Sequence, residues 1–182
     1  MADIQNESGT FEELATPLFA RLYNFGYWLT QDRSEAEDLV QEAYVKALKG
    51  FGSYRQGTNF RAWIYRILKN TYLTSRLGLR VATLSLDDDD SVVEPIANGT
   101  PESILISSFD QQAIRAALEG LPVHYREVIV LCDVEEMTYQ EIAETLTVPI
   151  GTVMSRLSRG RKTMRESLKD ASIRSASRSN LK

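Results

Sequence analysis

Apolar residues recur every three or four positions along most of this chain and nowhere alternate strictly, which predicts helices throughout and an all-α fold. Phe11, Leu14, Leu18, Leu22, Phe25 and Leu29 predict a first helix of about five turns, with Pro17 marking an early kink or a later start. Gln31-Asp32-Arg33 breaks the pattern, and Ser34 and Glu37 have the spacing of a capping box. Ala36, Leu39, Val40, Ala43, Tyr44, Ala47 and Leu48 then form an apolar stripe that stops at Gly50. Residues 51–59 read as a loop. In the next helix, Phe60 to about Leu77, the core face is expected to carry Phe60, Trp63, Ile64, Ile67 and Thr71. Arg61, Tyr65, Lys69, Tyr72 and Arg76 alternate aromatic and basic groups along what should be its exposed side.

Periodicity then lapses. Asp87-Asp88-Asp89-Asp90, Pro95, Asn98-Gly99 and Pro101 mark residues 81–103 as a flexible acidic linker. The four aspartates lack the spacing and turn glycine of a metal loop and read as a solvated charge run. Helical spacing resumes at Ile104, Leu105, Phe109, Ala113, Ile114, Ala117 and Leu118, stopped by Gly120 and Pro122. Tyr125, Val128, Ile129, Leu131 and Cys132 mark a further helix ending near Asp133, with Cys132 expected in the core. Two small helical domains follow, at 10–80 and 104–170. The ends, residues 1–9 and the Ser- and Arg-rich tail from Ala171, are expected to be loose.

The most informative stretch runs from Thr138 to Arg165. Thr138 and Glu141 have capping-box spacing before the short apolar face of Ile142, Ala143 and Leu146. Thr147-Val148 interrupts it, and Pro149 suits the first turn of a new helix. Ile150, Val153, Leu157, Gly160 and Met164 fall on one side, with Thr152, Ser155, Arg156, Arg159 and Lys162 opposite. A bracing helix, a tight turn and a second helix with a basic outer face form a helix-turn-helix pattern, whose second helix enters the DNA major groove. The alternative is an amphipathic surface helix whose charges are merely solvated.

The formal charge of −4 argues against a nucleic-acid binder until it is divided along the chain. Residues 55–80 hold six basic and no acidic residues, and residues 150–182 hold nine basic and two acidic. Fourteen of the 25 acids lie between 81 and 149, against two arginines. Because charges are screened over about 8–10 Å, an approaching polyanion meets the local patches and not the sum. Aromatic faces stack on unpaired bases while cations follow phosphates, so the 52–77 segment suits single-stranded nucleic acid. Its alternative is that Tyr65 and Tyr72 pack on a neighbouring helix. One cysteine and one histidine leave no structural metal site, and no leader or run of about 18 apolar residues is visible, so a cytoplasmic protein is expected.

Four strings carry a resemblance: AEDLVQEAYVKALKGF (36–51), NFRAWIYRILKN (59–70), LPVHYREVIVL (121–131) and MTYQEIAETLTVPIGTVMSRLSRGRKTM (137–164). In this order they resemble the bacterial RNA polymerase sigma factors of the extracytoplasmic-function (ECF) group. The resemblance implies no cofactor and no catalytic residue. It implies that Asp38, Gln41 and Glu42 contact the clamp helices of the largest polymerase subunit. Loop 52–59 and helix 60–77 would hold the opened minus-10 element, with a flipped base near Tyr54, Arg55 and Asn59 and further contacts from Arg61, Tyr65, Lys69, Tyr72 and Arg76. Thr152, Ser155, Arg156, Arg159 and Lys162 would read the minus-35 duplex, beside the flap of the second-largest subunit. The linker aspartates would stand in for RNA phosphates, and an anti-sigma factor is an expected partner. Thr74 departs from the acidic residue common at that position in the family.

The rival class is a helix-turn-helix regulator without sigma activity, which leaves 52–77 without a purpose. Gly160-Arg161-Lys162-Thr163 echoes the end of a phosphate loop, but Ser155 stands where its first glycine belongs and no strand leads in. No nucleophile and base are paired, so an enzyme is not expected.

Overall fold

The structure, a computed structural model, describes the backbone of residues 9–84 and 108–179. Every regular element among them is helical. Thr10 caps α1 (Phe11–Ala15) in a full capping box with Glu13. Pro17 sits in a 3-10 turn, Thr16–Leu18, that leads into α2 (Phe19–Thr30). Gln31 takes the left-handed conformation (φ 59°), which turns the chain into α3 (Arg33–Gly50). The cap of α3 is Asp32, whose Oδ1 accepts from Glu35 N at 2.9 Å, and not the expected Ser34–Glu37 pair. The turn at Gln31 leaves Asp32 extended and aimed at the free amides, so the helix starts two residues early.

After a 3-10 turn (Phe51–Ser53) and a short loop, α4 (Phe60–Leu84) runs past the expected end near Leu77 and into the first residues assigned to the linker. No proline stops it there. The aspartates 87–90 and the apolar residues Ile104 and Leu105 lie outside the described residues. The C-terminal module comprises α5 (Ser108–Glu119), α6 (Val123–Ile129), a π turn (Val130–Val134), α7 (Tyr139–Leu146) and α8 (Ile150–Ser179). Thr138 and Glu141 form the expected capping box, with Glu141 N on Thr138 Oγ1 at 3.2 Å and Thr138 N on Glu141 Oε2 at 2.7 Å. Thr147 supplies the left-handed step (φ 55°) between α7 and α8. The expectation of a loose tail is corrected: α8 continues through Ala171 to Ser179, with no proline or glycine after Gly160 to end it.

Leu22, Phe25, Leu29, Leu39, Val40, Ile64 and Leu68 fill the N-terminal module, and Leu118, Val128, Leu131, Ile142, Val153 and Leu157 fill the other. These are one continuous cluster. The modules pack directly, α4 against α7 and α2 against α6. Three apolar residues read from spacing as core, Leu48, Ile114 and Ile150, are instead exposed. Cys132 is half-buried at the edge of the cluster.

At Gly160 α8 comes close to α6. A Cβ there would lie 2.9 Å from Ile129 Cδ1 and 3.1 Å from Tyr125 Cβ. The isoleucine tip can turn aside, but Tyr125 Cβ is fixed to its backbone. Gly160→Val is therefore expected to destabilise the chain by about 1–3 kcal/mol through overpacking, measured by urea unfolding.

Candidate nucleic-acid interface

The loop between α3 and α4 is built on aromatic packing. Tyr54 stacks on Phe51 (ring centroids 5.8 Å apart) and tilts against Trp63 at 5.1 Å and Phe60 at 5.3 Å, and its hydroxyl donates to Thr58 O. It is 7% exposed. In this conformation the ring is a core member, packed by the module itself. Arg55 is exposed. Asn59 caps α4, its Oδ1 accepting from Ala62 N at 2.9 Å, while its Nδ2 donates to Glu141 Oε1 at 2.5 Å across to the other module.

The face of α4 expected to be open is largely covered. Tyr65 is fully buried, Tyr72 is 7% and Lys69 8% exposed, and Arg61 is half-buried. The cover is the C-terminal module. Tyr65 Oη donates to Glu135 Oε2 at 2.6 Å, and Arg61 Nη2 donates to the carbonyl and carboxylate of the same residue. Lys69 Nζ pairs with Glu127 Oε2, and Arg156 Nη1 donates to Glu127 Oε1 at 3.1 Å. Arg66 Nε donates to Glu144 O at 2.8 Å. Arg76, at the far end, pairs with Glu35 at 2.8 Å and lies over the Tyr72 ring. The reading that Tyr65 and Tyr72 pack on a neighbouring element is thus the correct one for this conformation. The acidic middle of the sequence folds onto the basic helix.

Electrostatics follow from that burial. Desolvation pushes the Tyr65 phenol well above its usual range, and the Glu135 carboxylate adds to the shift. Burial, then the positive charge of Arg156, pushes the Lys69 ammonium down to about 8. Burial opposes the Glu141 carboxylate, but hydrogen bonds from Thr138 and Asn59 hold its pKa below the usual value.

On α8, Ser155, Arg159 and Lys162 face solvent and Thr152 is half-buried. Arg156 is half-buried too, drawn inward to Glu127. Tyr139, Met154, Ser158, Arg161, Lys162 and Arg165 surround a shallow hollow on this module. Asp38, Gln41 and Glu42 are all exposed on α3, with Glu42 paired to Lys46 at 2.7 Å. This surface is thus open while the α4 face is closed.

Residues 14–79 match the model of sigma-70 region 2, and residues 111–164 match sigma-70 region 4. The ECF RNA polymerase sigma factor SigW of Bacillus subtilis is 30% identical over 91% of this chain and 92% of its own length. This chain belongs to the ECF sigma factors. SigE of Mycolicibacterium smegmatis is 37% identical over 87% of this chain but 62% of its own length, so the present sequence spans under two thirds of that relative. Among solved structures, the sigma factor RpoE of Bartonella quintana, in complex with the anti-sigma factor NepR, superposes with a TM-score of 0.72. It is 30% identical and covered over 96% of its chain, against 87% of this one. CnrH, solved with the cytosolic domain of CnrY, shares the fold (TM-score 0.61) at 22% identity.

Three charged residues of this sigma factor escaped the reading of its sequence: Arg126, Glu127 and Glu135, all buried. Arg126 and Glu127 sit side by side inside the apolar run of α6, which was the available sign that both are buried and partnered. Glu135 had no such marker, because it follows a π turn that helical periodicity does not anticipate.

Proposed function

We propose that this chain is a transcription-initiation factor without catalytic residues that binds core RNA polymerase through the Asp38, Gln41 and Glu42 face of α3. The α4 face, with Arg55 and Asn59 beside it, holds the opened minus-10 strand. Tyr65 and Tyr72 supply stacking there, and Arg61, Lys69 and Arg76 supply phosphate contacts. The outer face of α8 reads the minus-35 duplex. The observation that carries this is the open row Ser155, Arg159 and Lys162 on a helix braced by α7 across a capped turn, in a chain matching both sigma regions. Phosphate contacts fix register and base contacts select sequence. Holding an unpaired base lowers the cost of starting the bubble, as in base extrusion generally.

An anti-sigma protein is the proposed regulatory partner, and the cytoplasm the proposed site of action. Among the described residues no helix is long and apolar enough to cross a membrane. Run-off transcription with core polymerase tests the proposal: a sigma factor initiates, whereas a helix-turn-helix regulator leaves core polymerase inactive on the promoter.

The residue roles separate in two assays. Asn59→Ser keeps a side-chain oxygen for the α4 cap while removing the amide. Combined with Arg55→Ala, it is expected to lower open-complex formation on the order of ten-fold, read by permanganate reactivity, and to leave polymerase binding unchanged. Asp38→Arg is expected to weaken polymerase binding by a similar or larger factor through charge reversal, read by gel filtration with core enzyme.

A further inference from the structure

Met154 is 54% exposed inside the helix whose outer face is otherwise polar. Its chain neighbours are both committed. Val153 is fully buried, and Ser155 opens the exposed row that continues at Arg159 and Lys162. At 100° per residue, Met154 stands on the border between these two faces, and Ser158 lies one turn further along the same side. Both residues line the hollow that also carries Tyr139, Lys162 and Arg165.

The surroundings leave the methionine standing proud. Gly151, Ser155 and Ser158 are short and exposed, and a Cβ at Gly151 would meet nothing within 4 Å. Of the cations beyond it, Arg161 is held by Asp133, its Nη2 2.5 Å from Oδ1, whereas Lys162 and Arg165 are exposed. An apolar tip beside hydroxyls, with cations two and three turns on, answers the three features of a DNA major groove. Hydroxyls and arginines bond base edges, cations meet phosphates, and the C5-methyl of thymine is the apolar group the groove presents. A helix-turn-helix directs the N-terminal residues of its second helix at base edges, and Met154 lies in the second turn of α8. An unbranched, polarisable thioether adapts its contact to such a methyl.

We propose that Met154 is a specificity-determining residue: it packs on the C5-methyl of one thymine in the minus-35 duplex and so selects A·T over G·C at that step. The inference rests on the reading that the outer face of α8 reads this duplex. It extends that face by one residue beyond the polar row, onto the side of α8 that borders the hollow.

The test uses holoenzyme reconstituted from the full chain and core polymerase, on a promoter library randomised over the minus-35 region. Templates that yield run-off transcript are sequenced. With the unaltered chain, one position should be enriched in thymine on one strand. Replacing that thymine by deoxyuridine, which lacks only the methyl, should lower open-complex formation about four-fold, the value of one buried methyl-sized group. With Met154→Ala, thymine and deoxyuridine templates should perform equally, and the library should lose its preference at that position alone. Met154→Leu, still apolar, should retain both effects. Each comparison is made within one variant, so a general loss of activity cancels.

A thymine-to-deoxyuridine ratio unchanged by Met154→Ala would overturn the proposal, as would the absence of any position sensitive to the methyl. Preference lost evenly across the minus-35 region in Met154→Ala would overturn it too, by showing that the side chain braces α8. Initiation that depends on the randomised sequence but ignores the methyl sinks this inference only. Failure of the unaltered holoenzyme to initiate, or initiation indifferent to the randomised sequence, sinks the reading of α8 on which it rests.

Discussion

Arg126→Ala is expected to cost about 3–5 kcal/mol of stability, the range for leaving buried partners of a charged group unpaired. The side chain, 4% exposed, satisfies four carbonyls: Leu118 O at 3.0 Å from Nε, Trp28 O at 2.9 Å from Nη1, and Glu119 O and Leu121 O at 2.8 and 2.7 Å from Nη2. Leu118 and Glu119 close α5, and Trp28 lies in the last turn of α2, so two helix C-termini converge on one cation. Each such end carries roughly half a negative charge. Burial lowers the pKa of this guanidinium, and the negative charges of Tyr72 and Glu119 oppose that shift. Arg126→Lys should rescue little, because an ammonium has three donors and no planar fork to span carbonyls on two elements. Urea unfolding measures the cost. Faster hydrogen exchange at the Gly120 and Leu121 amides, which bond to Ala116 O and Leu118 O, would localise it to the end of α5. A loss below about 1 kcal/mol would mean that water replaces the side chain at these carbonyls.

The contrast between Arg126 and the helix-turn-helix shows which parts of this chain are legible in order. The capping box at Thr138 and Glu141, the break at Thr147 and the buried positions Val153 and Leu157 depend on neighbours within a few residues, and local spacing expresses them. Arg126 to Trp28 spans 98 residues and Asn59 to Glu141 spans 82, and no local pattern encodes either. The charge division was visible, with a basic 55–80 and an acidic middle, but its consequence was read too narrowly. A basic-aromatic face can meet an external polyanion or the chain's own acids, and Arg61, Tyr65 and Lys69 do the second here. Ile150 shows the same limit on a smaller scale: its spacing matches the core face of α8, yet as the first helical residue it lies beyond the packed region.

Arg61→Ala with Lys69→Ala is expected to lower polymerase-dependent open-complex formation on the order of a hundred-fold, about ten-fold for each charged contact removed. The slope of log affinity against log salt should flatten by about 0.7 per contact on a single strand, or about 1.4 in all. A purely structural role would lower affinity without changing that slope. The same substitutions act differently on the free chain. They remove the cation partners that α4 gives Glu127 and Glu135, leaving Glu127 with Arg156 and Glu135 with the Tyr65 hydroxyl of α4 and the more distant Arg21, so the seam loosens. The free variant should therefore be more open, by scattering or by faster exchange in α4, and yet bind a single-stranded oligothymidylate less well. If it instead bound more tightly in proportion to its opening, the strand would have to lie elsewhere than on Arg61 and Lys69.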